Sequence, residues 1–531
     1  MSHITITCCH HGVYVDMEPI ATTHYRTKKS TLIVLRPLLA FVCLPLFAYL
    51  LLGSPTAQAG KAEAVASSSS MRRPILYPLQ DKITSILYSH PAVREMKVGL
   101  YITSLKTGQV LADICSNELL IPASNQKLFI SAAALAKFKP DYSFPTIIYA
   151  KQLSAGGSII GPLYIKGFGD PLLVTEEIEV LAQQVKEAGV RKVTEGLVFD
   201  DSYFAPDEEN EEHLGGDPSV WYRAESGALS VNFNTITFVI RPGSKVGQKP
   251  SICWEPPSSG GAIQVINKAT TVSGSPRRAL TIARHFEDGV NSFTVSGQIS
   301  IRHKPLTVYR AIKAPSRYAA EVIKEMLRQK GIDISGPVRP GIVPEEAKVI
   351  CIHRSKPLSE IVASLNKFSN NFIAQQLLKA LGAKSKGAPG TTEKGLAAIR
   401  DFLEESGLGA EDFLPADGCG LSRNNLTTPK KIVDLLTFMQ QKFEYQPEYF
   451  SSLAIAGVDG TMRKRLRSPK VQDRVRVKTG LIDGVSCLSG YIYSYHDELI
   501  AFSIMMNKNR NQHHICKSIQ DKIVEFLLDP K

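Results

Sequence analysis

Beyond residue 59 the chain has no Cys-x-x-Cys and no closely spaced cysteine pair. Cys115, Cys253, Cys351, Cys419, Cys487 and Cys516 are scattered, so their spacing indicates neither a disulfide framework nor a zinc site. His513 and His514 lie near Cys516 but match no metal-ligand spacing and read as a solvated helix face, so no metal is expected. The sequence has no lysine run, no zinc-finger spacing and no basic-aromatic repeat, and nothing in it points to a nucleic-acid partner. No internal repeat is visible.

What is present is a globular composition, 44% hydrophobic and 21% charged over 531 residues, which is enough chain for two or three domains. Arg26, Lys28, Lys29 and Arg36 precede the apolar run LLAFVCLPLFAYLLL (38–52), and Ala57-Gln58-Ala59 offers a small-residue cleavage site. Residues 1–59 therefore read as a signal peptide, with export as the expectation. The alternative is an uncleaved anchor, since the stretch from Thr31 to Leu52 is long enough to cross a bilayer, and membrane contact is expected only through it. Its removal takes away four basic and two acidic residues and lowers the net charge from +12 to +10. A basic exported chain suits an anionic envelope polymer.

After the low-complexity linker at 60–70, LQDKITSILYSHPAV (79–93) has helical apolar spacing, and VGLYITSL (98–105) and QVLADI (109–114) read as a hairpin turning at Lys106-Thr107-Gly108. A helix is expected from the Ser124 segment to about Phe138. From 143 to 347 short β-like runs alternate with Gly, Pro and Ser clusters, with one helical stretch at 317–331. Helical periodicity returns at 358–368, 371–381 and 393–407. Two alternating strands, 485–495 and 498–507, then precede a closing helix from about His513. The pattern predicts one α/β (α+β) domain, residues 71–142 and 348–531, split by a mainly β insertion over 143–347.

Within PASNQKLFISAAAL (122–135), Ser124 stands three residues before Lys127, where a polar turn meets an apolar segment. A serine there can be an ordinary helix cap. It can also be a nucleophile, because a hydroxyl needs a base to take its proton and one helical turn places the Lys127 amine beside it. The amine must then be neutral, which burial and a second nearby cation favour. Ser-x-x-Lys alone decides nothing, since Ser364 and Lys367 repeat it. Two further motifs follow in order: Ser369-Asn370-Asn371 between two predicted helices, and Lys478-Thr479-Gly480 ahead of the C-terminal hairpin.

Ser-x-x-Lys, Ser-x-Asn and Lys-Thr-Gly together are the signature of β-lactamases and penicillin-binding proteins. IPASNQKL, KGFGDPLL, DDSYF, LNKFSNN, PADGCGLSRNNLTTP, AGVDGTM and VKTGLIDGVSCLSGYI extend the likeness over nearly all of the chain after residue 59. On these blocks the sequence resembles the class C low-molecular-mass penicillin-binding proteins, the D-alanyl-D-alanine carboxypeptidase and endopeptidase family. The resemblance implies a penicillin-binding, serine β-lactamase-like fold, peptidoglycan stem peptides as substrates, β-lactams as covalent inhibitors, no cofactor, and the periplasm or cell envelope of a bacterium as the destination of an exported chain.

Residue by residue, it implies that Ser124 is the nucleophile and Lys127 its base. Ser369 relays the proton between the lysines, and Asn371 holds the substrate amide. Lys478 and Thr479, with Gly480 between them and Leu481, receive the terminal carboxylate. The backbone N–H groups of Ser124 and Leu481 meet the oxyanion. It further suggests that Asp200, in DDSYF, binds an amino group of the stem peptide, with an exposed turn carboxylate as the plainer alternative. Lys106-Thr107-Gly108 precedes Ser124, sits in a turn and carries no chemistry.

Two residues depart from the family pattern. Leu481 stands where a Ser or Thr is usual, and Cys419 replaces a serine in a block whose Asp417 is expected to hold its own turn by hydrogen bonds. A serine β-lactamase shares the chemistry, but the long insertion argues against it. A non-catalytic envelope-binding module is expected to have lost a motif, and none is lost.

Overall fold

The computed structural model describes residues 76–206, 217–257 and 261–530. The leader expected over 1–59 and the linker at 60–70 lie outside them. Among the described residues no helix is long and apolar enough to cross a membrane.

Helix α1 (Leu76–Leu87) leads to strand β1 (Lys97–Ser104), which turns into β2 (Val110–Ile114). Lys106-Thr107-Gly108 makes that turn: Gly108 has a φ of 71°, and its N–H donates to the Ser104 carbonyl at 2.9 Å. A short 3₁₀ turn, Ala123–Gln126, then enters helix α2 (Lys127–Phe138), which is buried over Lys127–Leu135.

The chain next leaves for a region with a core of its own. Strands β3 (Pro145–Ala150), β4 (Leu163–Gly167), β5 (Leu197–Asp200), β6 (Val338–Pro340) and β7 (Lys348–Arg354) form a sheet in the order β6-β5-β4-β3-β7. Helices α3 (Thr175–Glu187) and α4 (Pro315–Gln329) belong to it, and Ile148, Leu163, Leu181, Phe238, Phe293 and Tyr318 share its core. Two differences from the sequence reading follow. Helix α3 sits inside the supposedly β stretch; Ile178, Leu181, Ala182 and Val185 are its buried residues, a helical spacing in an otherwise charged segment. The region also runs past 347, because β7 pairs antiparallel with β3, Arg354 against Pro145, so the outgoing and returning strands lie side by side.

Helices α5 (Leu358–Phe368), α6 (Asn371–Lys386), α7 (Thr392–Glu405), α8 (Pro429–Gln441) and α9 (Gln446–Ser452) follow. Strands β8 (Ala454–Ile455), β9 (Val475–Ile482), β10 (Val485–Tyr493) and β11 (Leu499–Asn507) and helix α10 (His513–Leu528) end the chain. The six-stranded antiparallel sheet runs β2-β1-β11-β10-β9-β8. Strands from the two ends of the described chain thus meet within it, Lys97 opposite Asn507.

Alternate residues of β10 face different cores. Cys487 and Tyr491 join the one built with α2, α5, α6 and α8, whereas Leu488 and Ile492 join the one built with α1 and α10. A sheet covered on both faces needs apolar residues on both, which is why VSCLSGYI is buried throughout. This sandwich holds β9 and the turn before α2 against each other.

Candidate functional site

Ser124 does not cap α2. The residue in the capping position is Gln126, which makes no side-chain cap bond. Ser124 Oγ instead accepts from Lys127 Nζ at 3.0 Å, one turn on. The same amine donates to Asn371 Oδ1 at 2.8 Å and to the Cys419 carbonyl. Lys127 is fully buried, and that burial pushes its pKa down to about 8, although the Asp417 carboxylate partly opposes the shift.

The Ser-x-Asn residues come from the junction between α5 and α6. Ser369 ends α5 in the left-handed conformation, φ 57° and ψ 40°, which breaks the helix and turns its hydroxyl aside. Asn370 caps α6, its side chain accepting from the Ile373 N–H at 3.1 Å, and Asn371 is the first helical residue. Its side-chain amide spans two elements: Oδ1 receives Lys127, and Nδ2 donates to the Tyr222 carbonyl of the inserted region at 3.1 Å.

The third motif lies on β9. Lys478 is fully buried and donates to Ser369 Oγ at 2.9 Å and to the Thr479 carbonyl at 2.7 Å. Burial and the neighbouring Lys127 charge both drive its pKa well below the usual lysine range. Thr479 is half-buried, and Leu481 is exposed. Gly480 lets the strand close on the nucleophile turn, since a Cβ there would sit 2.6 Å from the Pro122 carbonyl oxygen. Ser124, Lys127, Ser369, Asn371 and Lys478 are thus brought together from three distant stretches. Ser369 Oγ meets Lys478, while the contacts described for Lys127 Nζ go to Ser124, Asn371 and Cys419; a hydroxyl on one buried amine and a second hydroxyl on the other suit nucleophilic attack with proton transfer.

The motifs left out the turn that closes over Lys127. Asp417 Oδ2 accepts from the Ser422 N–H at 2.6 Å and Oδ1 from the Gly420 N–H, with Asn425 Nδ2 donating to Oδ1 at 3.1 Å. This bracing aims the Cys419 carbonyl at the lysine. Cys419 itself is buried, and burial pushes its thiol up to about 12, so it stays neutral. Gly420 has a φ of 86°, and a Cβ there would strike the Ala123 carbonyl. Gly420→Ala is expected to cost about 2 kcal/mol or more in backbone strain alone. Thermal unfolding should show a lower midpoint, and acylation should slow with it; an unchanged midpoint would contradict this packing.

Asp200 is corrected by the structure. It is neither exposed nor open to a substrate cation. Its carboxylate is buried and receives Lys166 Nζ at 3.0 Å, the Val343 N–H at 3.0 Å, and both the Ser202 N–H at 3.0 Å and hydroxyl at 2.6 Å. Burial works to raise its pKa, but these bonds outweigh it and hold the carboxyl below its usual value. Nor does the second Ser-x-x-Lys form a site: Lys367 Nζ pairs with Asp459 at 2.6 Å rather than with a nucleophile.

A profile of the D-Ala-D-Ala carboxypeptidase 3 (S13) family matches residues 79–529. A D-alanyl-D-alanine carboxypeptidase of Actinomadura sp. (strain R39) is 33% identical over 481 residues, 88% of this chain and 86% of that protein. The crystal structure of penicillin binding protein 4 from Haemophilus influenzae superposes with a TM-score of 0.73 at 24% identity, over 84% of this chain and 99% of that one, which places the fold. The same protein complexed with a novel β-lactam gives 0.69 at 25% identity over the same shares. With matches of this extent, the chain belongs to the D-Ala-D-Ala carboxypeptidase 3 (S13) family and is a serine-type D-Ala-D-Ala carboxypeptidase.

Proposed function

We propose that the reaction runs through an acyl-enzyme on Ser124, with neutral Lys127 as its base, on peptidoglycan stem peptides ending in D-Ala-D-Ala. The observation that carries this reading is the 3.0 Å contact between Ser124 Oγ and a fully buried amine whose pKa lies near 8. Ser124 Oγ bonds to the carbonyl carbon of the penultimate residue as its proton passes to Lys127. The tetrahedral oxyanion faces the N–H groups of Ser124 and Leu481.

The C–N bond then breaks, and the leaving D-alanine needs a proton. Lys127 gives up the proton it took from Ser124, and Ser369, 2.9 Å from Lys478, passes a proton on to the leaving amine. Water cleaves the ester and frees Ser124. Asn371, fixed between Lys127 and Tyr222, orients the substrate amide, while Lys478 and Thr479 receive the terminal carboxylate. A β-lactam presents a strained amide and a carboxylate to the same groups, so it is expected to acylate Ser124. The solved relative bound to a β-lactam supports this. Export, with the catalytic groups on the split domain and the excursion walling one side through Tyr222, completes the reading.

The pH dependence tests the base. Below a pKa of about 8 Lys127 holds a proton and cannot accept another, so the acylation rate should fall about tenfold per pH unit on that side and level off above it. Stopped-flow acylation by a penicillin between about pH 6 and 10 measures this. A rate that is flat through this range, or that declines as the pH rises past about 8, contradicts Lys127 as the base.

A further inference from the structure

The carboxylate-binding strand offers few donors on its outer face. By the two-residue period of a strand, Thr479 and Leu481 share a face, and Leu481, 46% exposed, brings no hydrogen bond to it. A second hydroxyl arrives from elsewhere. Thr461, exposed on the 3₁₀ turn Gly460–Met462, accepts from the Thr479 hydroxyl, the two oxygens being 2.9 Å apart.

That turn is fixed by its own bonds. Asp459 Oδ1 accepts from the Ile455 N–H at 2.7 Å, and Oδ2 receives Lys367 Nζ at 2.6 Å. Lys367 also donates to the Leu453 carbonyl at 3.1 Å and sits two residues before Ser369. Gly460 has a φ of 52°, and a Cβ there would strike the Lys367 carbonyl. Thr461 is therefore tied to the helix end that places Ser369, and its neighbour Met462 is buried.

A threonine hydroxyl has one proton and two lone pairs. Thr479 directs its proton at Thr461, and among the described contacts the Thr461 proton goes to no protein acceptor. When a carboxylate arrives, the Thr479 O–H turns from Thr461 to it, so that the two neighbouring hydroxyls each donate to one of its oxygens, and charge-assisted bonds of that kind are the stronger ones. We propose that Thr461 is a substrate-binding residue whose hydroxyl, together with that of Thr479, takes the substrate's terminal carboxylate and supplies the donor that Leu481 does not. The inference rests on the reading of Lys478 and Thr479 as the carboxylate site.

The test compares kcat/KM for an acylated D-Ala-D-Ala peptide with that for the same peptide as its C-terminal amide. Thr461→Val keeps the shape and removes the hydroxyl. It should reduce the wild-type preference for the carboxylate about tenfold or more, chiefly through KM. Thr461→Ser should keep the preference, and adding Leu481→Ser to Thr461→Val should restore much of it. A hydroxyl at 481 cannot mend a merely distorted turn, so this rescue separates binding from structure. An unaltered carboxylate-to-amide ratio in Thr461→Val, or a double variant as poor as Thr461→Val alone, overturns the inference and leaves the carboxylate site standing. A wild type that treats acid and amide alike overturns the carboxylate site itself, and this inference with it.

Discussion

Ser124→Ala should take no covalent label from a fluorescent penicillin and should release D-alanine at least about 10⁴-fold more slowly than the wild type, the usual order of loss when a nucleophile is removed. Peptide mapping of the labelled wild type should place the adduct on Ser124. The variant is expected to fold normally. Ser124 is half-buried, it caps no helix, and the side-chain contact described for its Oγ is the one from Lys127. Loss of label with an unchanged thermal midpoint therefore reports chemistry. Label retained in Ser124→Ala, or mapped elsewhere in the wild type, refutes the assignment.

How far the sequence alone discloses this site follows from the kind of contact each residue makes. Ser124 and Lys127 are legible because the link between them is local, one helical turn on a segment that reads as a helix. Lys478 is legible as part of a strand pattern ahead of the terminal hairpin. The Cys419 carbonyl and the Tyr222 carbonyl are not legible, since any residue type carries a carbonyl and only the fold aims it at Lys127 or Asn371. The signal nearest to them was Gly418–Gly420 beside Asp417, a turn that reads correctly as self-bonded yet says nothing of what it faces.

Thr461 was hidden for a related reason, because its partner lies on another element and the contact has no sequence period. Asp200 misled because the resemblance of DDSYF carries a role but not the contacts of this chain; Lys166, 34 residues earlier on the adjacent strand β4, covers it. The fold shows the same division. Strands β1, β2, β10 and β11 and helices α5, α6, α7 and α10 are set by local periodicity, whereas α8 and α9 were not read from the sequence. The pairing of β7 with β3 joins residues some 200 positions apart and could not be foreseen from either strand.

The overlapping text SLNKFSNN holds the sharpest remaining test, since Ser364-Leu365-Asn366 and Ser369-Asn370-Asn371 both fit the second motif. The structure separates them. Ser364 lies within α5, and Asn366 is fully buried, its amide donating to Ser131 Oγ at 3.1 Å and Ser452 Oγ at 2.9 Å, contacts that join helices rather than serve a cleft. Ser369 lies beyond the helix in a conformation a serine rarely takes, held there with its hydroxyl against Lys478. Ser369→Ala should slow acylation by roughly 10² to 10⁴, the worth of a positioned proton-transfer group. It should barely change stability, because alanine keeps the backbone and Lys478 retains the Thr479 carbonyl as an acceptor. Ser364→Ala should stay within a few-fold of the wild type. Stopped-flow acylation of both variants decides the matter: a large loss in Ser364→Ala with little in Ser369→Ala would mean that the proton path through Lys478 is wrong.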